Sequence, residues 1–148
     1  MRNLRVAAIS FYLVSTVFIA IGMVYLLYPG PMPYHLKFIN RQSEELAPEI
    51  LTLMIFGKEA VGSLLISSGI AVLILTKHLN NARAQLRWCI VAITAPPLAA
   101  FLRITLAVGA DSPWWAVAIC IVSVAIGFFA ANIEKNRDLE VKSSYLHS

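Results

Sequence analysis

Five side chains in this sequence could carry chemistry inside or beside long apolar runs: Tyr34, His35, Lys58, Glu59 and Arg103. A charge at the centre of a bilayer costs about 2.5–3.5 kcal/mol on insertion scales, so an intramembrane ion demands a partner or a shallow position. Counting about 20 residues back from Thr76 reaches Gly57, which puts Lys58 and Glu59 near one boundary of the hydrocarbon. Arg103 precedes Val108 by five residues, about 7 Å at 1.5 Å per residue. The three charges are therefore expected in one slab. Lys58, Gly62 and Gly69 share one helical side, with Glu59, Ser63 and Ser67 on the adjacent row. Arg103 shares a row with Ala92, Pro96, Ala99 and Ala100, small residues of the kind at which membrane helices approach closely. This pattern predicts a Glu59–Arg103 ion pair between antiparallel spans. The layer then reads in two ways. Glu59 neutralises Arg103 while Lys58 snorkels outward, as a structural clamp. Alternatively the surplus positive charge, with Tyr34 and His35 overhead, receives an anionic lipid head group or another polar ligand.

The elements that position these residues follow from four apolar blocks, at about 6–28, 50–76, 88–108 and 114–133. The 148-residue chain is 59% hydrophobic and only 14% charged, with a mean hydropathy of +0.74. A soluble domain carries about 25% charged residues and disperses its apolar ones at helical or strand periods. Each block reaches the roughly 20 residues that cross a bilayer. The first is longer than the apolar region of a signal peptide, has no small-residue cleavage site before Pro29-Gly30-Pro31, and is expected to be an uncleaved anchor. Pro48 and Glu49 suit the start of the second span, and Ser112 and Pro113 that of the fourth.

Orientation follows from the basic residues. Arg2, Arg5, Lys77, Arg83, Arg87, Lys135, Arg137 and Lys142 fall on one side and Lys37 and Arg41 on the other, eight against two. The positive-inside rule places both termini in the cytoplasm. The expected fold is all-α: one membrane domain, an up-down bundle of four transmembrane helices, N-in and C-in. It has an outer loop over 29–49 and a cytoplasmic tail over 134–148 that begins as a solvated helical extension. The outer loop contains Met32-Pro33-Tyr34-His35-Leu36. It reads either as an ordered functional loop or as an amphipathic segment on the outer leaflet, with Tyr34 at the interface.

Other chemistry lacks its residues. The net charge of +4 comes from loops that set orientation, and no basic-aromatic stripe suggests nucleic acid. Haem held between helices uses inward histidines, whereas His35, His78 and His147 lie outside the spans. Cys89 and Cys120 differ in depth by about 18 Å, too far for a disulfide, and are expected to pack. No metal site, cofactor or catalytic residue is assigned. Pro96-Pro97 is expected to free carbonyls and kink the third span, a break that could open a pocket. Trp88, Trp114 and Trp115 read as interfacial anchors.

The stretch Pro31-Met32-Pro33-Tyr34-His35, the run Glu45-Leu46-Ala47-Pro48, the Gly62/Gly69 pair and Ser112-Pro113-Trp114 resemble a family of small, uncharacterised four-helix bacterial membrane proteins. In size and helix count the chain is similar, more loosely, to DoxX-like membrane proteins. The resemblance implies a bacterial plasma membrane and carries over no catalytic residue. It places His35 in the family's most recognisable motif. The expected function is that of a non-enzymatic accessory or ligand-binding membrane protein. Its partners would be membrane lipids, a second copy or a larger membrane complex. The alternatives are an enzyme or redox protein acting on a lipid-soluble substrate at the outer layer, and a small transporter. Four-helix drug exporters carry a carboxylate in the first span, and this first span has none.

Overall fold

In the computed structural model, which describes residues 2–39, 46–79, 84–109 and 114–146, regular structure is entirely helical. There are four long helices, α1 (Arg2–Leu27), α3 (Pro48–Lys77), α4 (Ala84–Val108) and α5 (Trp114–Leu146), and one short helix, α2 (Pro33–Phe38), between α1 and α3. Each long helix contains a segment long and apolar enough to cross a membrane. This is an all-α four-helix bundle of a multi-pass membrane protein. Helices are the expected solution because lipid offers no partner for backbone N–H and C=O groups. The end carrying α2 is called the outer end, after the charge count.

Helix ends follow local chemistry. Pro29 and Pro31 bracket Gly30, whose φ of +79° turns the chain after α1. Pro48 opens α3 after Ala47 at the cap, with Glu49 in the first turn. Gly109, also at φ +79°, ends α4. The predicted Ser112 cap and Pro113 lie outside the described residues. The predicted tail is helical to Leu146 as a continuation of α5. Pro96 and Pro97 lie inside α4, which runs on as one helix across both.

Packing is uneven. Helix α1 is the hub, contacting α3 and α5 extensively, whereas α4 touches α3 and α5 more sparsely. The α1–α3 seam is tight because glycines face each other across it. A Cβ built at Gly22 would lie 2.7 Å from the Gly62 carbonyl oxygen, and one at Gly69 would lie 2.7 Å from Ile19 Cγ1. Ser15 Oγ, fully buried, donates to the Gly69 carbonyl at 2.7 Å across the same seam. Two apolar clusters fill the interior. One near the inner end centres on Phe11, Val72 and Ile90, and one further out centres on Val14, Phe18, Leu65 and Leu98.

Candidate functional site: an outer cap and a lateral groove

The outer cap is built on the last turn of α1. Tyr25 is buried there, and its hydroxyl pairs with that of Tyr34 on α2. The Tyr25 ring meets Phe101 of α4 edge-on at 6.1 Å, and the Tyr34 ring meets His35 edge-on at 4.4 Å. Met32, just before α2, is 4% exposed. Residues 32–34 thus pack onto the bundle. Burial raises the Tyr34 hydroxyl above its ordinary range, as does its contact with Tyr25. Burial lowers the His35 imidazole below its usual value. Both groups are neutral at pH 7.

Lys58 is the one charge of the expected layer that points inward. It is 3% exposed, and its Nζ donates to the Tyr28 carbonyl and, at 3.0 Å, to that of Gly30. The ammonium also sits 5.9 Å from the Tyr28 ring centroid. These carbonyls belong to the C-terminal end of α1 and the turn after it, where backbone acceptors lack intrahelical donors and the helix dipole is negative. Lys58 therefore does not snorkel outward. It staples the end of α1 to α3.

The Glu59–Arg103 ion pair does not form. Successive helical residues turn by about 100°. The buried stripe of α3 runs through Lys58, Gly62, Leu65, Gly69, Val72 and Thr76. Glu59 sits one residue round from it, half-buried, and Ser63 and Ser67 on its row are exposed. On α4 the buried residues are Arg87, Ile90, Thr94, Leu98 and Thr105. Arg103 is turned from Arg87 by about 160° and is exposed, as are Ala92, Pro96, Ala99 and Ala100 on its row. The small-residue row of α4 therefore faces away from the buried interior, not into it. That of α5, Ala116, Cys120, Ser123 and Gly127, does face inward, and a Cβ at Gly127 would meet the Phe11 ring at 2.7 Å. Both cysteines are free. Cys120 is buried, but Cys89 is exposed and does not pack as expected.

A second feature lies on the opposite side of the bundle. Between α4 and α5 runs a laterally open groove of about 390 Å³, lined by Trp88, Val91, Ala95, Leu98, Ala99, Leu102 and Thr94 from α4 and by Ile121, Val124, Ala125 and Phe128 from α5. Its lining is almost wholly apolar because Thr94 turns its hydroxyl back to the Ile90 carbonyl at 2.8 Å. Alanines at 95, 99 and 125 leave the space, and the Pro96-Pro97 step adjoins it. From Trp88 to Leu102 it extends about 21 Å along α4 at 1.5 Å per residue. At its inner end Trp88 and Phe128 meet edge-on at 4.8 Å. Beside them Arg87, 6% exposed, lays its guanidinium carbon 5.7 Å from the Phe128 ring centroid.

The groove and Arg87 escaped the sequence reading, which counted Arg87 among the loop charges. Its signal was the spacing Arg87, Ile90, Thr94, Leu98, a helical row continuing outward from the arginine. Among the described residues no three His, Cys, Asp or Glu side chains converge on a metal-sized site. No family model matches the chain, and neither a curated protein nor a solved structure matches it.

Proposed function

We propose that this chain is a non-enzymatic lipid-binding protein of the bacterial plasma membrane, whose α4–α5 groove holds an acyl chain. The observation that carries this reading is the groove itself: an apolar trough at membrane depth, opening sideways where the surrounding solvent is lipid. Ligand sites between helices of a bundle are concave and mostly apolar, and a length of about 21 Å exceeds one leaflet, about half of the ~30 Å hydrocarbon core. The outer cap supports this role by fixing α1, α2 and α3, with Lys58 already engaged by backbone carbonyls. Tyr34, His35 and Lys58 then hold the bundle closed and are not the ligand site, and Glu59 and Arg103 stand apart from it.

Native mass spectrometry of the gently extracted protein tests the reading. The wild type should retain phospholipid, and Ala95→Phe or Ala125→Phe, which fill the trough from either wall, should release it while the fold persists. Equal retention by the filled variants would remove the proposal.

The outward row of α4 favours a second reading, an accessory subunit. Arg103 stands exposed at membrane depth on a row of small residues, a face suited to a partner helix bearing a carboxylate. Under that reading the wild type copurifies as a complex that Arg103→Leu dissolves.

A further inference from the structure

Arg87 is the least satisfied polar group in the described structure. A guanidinium carries five N–H donors. Here the recorded hydrogen bond is a long one, from Nη1 to the Ala131 carbonyl at 3.5 Å. Nε is buried with no partner at all, and the residue is 6% exposed. Among the described side chains no carboxylate pairs with it. The ring against which it lies, Phe128, lines the inner end of the groove, and Trp88, the next residue in sequence, lines it too. A buried cation left this way is costly unless an anion completes it.

We infer that Arg87 is the head-group site of the groove, and that the occupant is an anionic phospholipid of the inner leaflet. Its acyl chain runs outward along Ala95 and Ala99, and its phosphate caps the guanidinium. The inference deepens the lipid-binding reading and rests on it. Three features converge on this class of ligand. The cation lies three residues into α4, in the first turns of a helix long and apolar enough to cross a membrane. The planar fork of an arginine matches the two free oxygens of a phosphodiester. The apolar trough begins one residue further on, so phosphate and chain are served in the order in which a lipid presents them. Lys77, in the last turn of α3, adds long-range attraction for an anionic surface.

The test uses full-length protein in nanodiscs with equal amounts of phosphatidylglycerol and phosphatidylcholine, reading by native mass spectrometry which lipid stays bound. The wild type should retain the anionic lipid over the zwitterionic one by about fivefold, the order expected for one basic group near the surface. Arg87→Gln should keep lipid in the groove but lose the preference. Glu134→Gln, which also changes the net charge by one, should leave the preference intact. Equal retention of both lipids by the wild type overturns the head-group assignment, a readout that stands even if Arg87→Gln fails to fold. A preference that survives in Arg87→Gln, or that Glu134→Gln alters, overturns it as well. Failure of the groove reading looks different: Ala95→Phe would retain lipid and selectivity together.

Discussion

The two sides of this bundle solve the problem of helix association in lipid in opposite ways. Between α1 and α3, glycines bring backbones together and two buried polar side chains are engaged across the seam. Ser15 bonds to Gly69, and Lys58 holds the carbonyls that end α1. Between α4 and α5, alanines face a gap, and a buried arginine is left with one long bond. Lipid supplies no hydrophobic drive toward helix contact, so packing and polar satisfaction decide association. A seam that is satisfied on both counts is structural. A seam that is deficient on both has room for a ligand. Small residues alone therefore do not mark a helix contact; what faces them does.

The contrast is sharpened by substitutions whose expected effects decline in order. Gly22→Val should be the most damaging, because any Cβ there collides with the Gly62 carbonyl. Overpacking costs about 1–3 kcal/mol, and a clash with backbone belongs at the upper end, read as a lost folded fraction in denaturant titration in detergent. If Gly22→Val is as stable as Ala125→Leu, the two seams are not different. Next, Lys58→Met removes a charged donor from two carbonyls and should cost about 2 kcal/mol, with α2 becoming accessible to proteolysis. Tyr34→Phe removes one neutral hydroxyl pair and should cost about 1 kcal/mol.

The pH response of the cap follows from its two neutral groups. Tyr34 is raised above its ordinary value of 10.0, so its contribution is complete below pH 10 and is lost as the pH climbs through the raised value. His35 is lowered from 6.5. Its contribution is present above pH 6.5 and is lost as the pH falls through the lowered value, since burial opposes the charged imidazolium. Hydrogen-exchange protection over residues 34–38, corrected for the intrinsic rate at each pH, should therefore be highest between these limits, and His35→Phe should abolish the acid arm. The smallest effect is expected for Glu59→Gln with Arg103→Leu. Lacking a shared bond, their effects on monomer stability should be near zero and additive within about 0.5 kcal/mol; a coupling above 1 kcal/mol would restore the ion pair.

Much of the architecture was legible because its signals are long and redundant. Four apolar blocks, Pro48 at a helix start and the prolines flanking Gly30 all act locally. The facing of side chains was less legible. Hydrophobic residues cover every side of a membrane helix, so the sequence offers two plausible inward rows on α3 and α4. Choosing the Lys58 row correctly but extending the choice to Glu59, only about 100° away, was enough to create a false pair. On α4 the alanines drew attention to Arg103, when the inward row was that of Arg87, Ile90, Thr94 and Leu98. The groove was illegible for a further reason. Alanines at 95, 99 and 125 read the same whether a neighbour fills the space or leaves it open.

The claim that α4 and α5 enclose a lipid is tested most directly at Trp88, which lines the groove. The chain has three tryptophans, so Trp114→Phe with Trp115→Phe leaves Trp88 as the sole fluorophore. Reconstitution with phosphatidylglycerol carrying brominated acyl chains then reports occupancy by quenching. Quenching should lie well above that expected from the bulk fraction of brominated lipid and fall to the bulk level in Ala125→Phe. Quenching that follows the bulk fraction in the parent protein would contradict the claim.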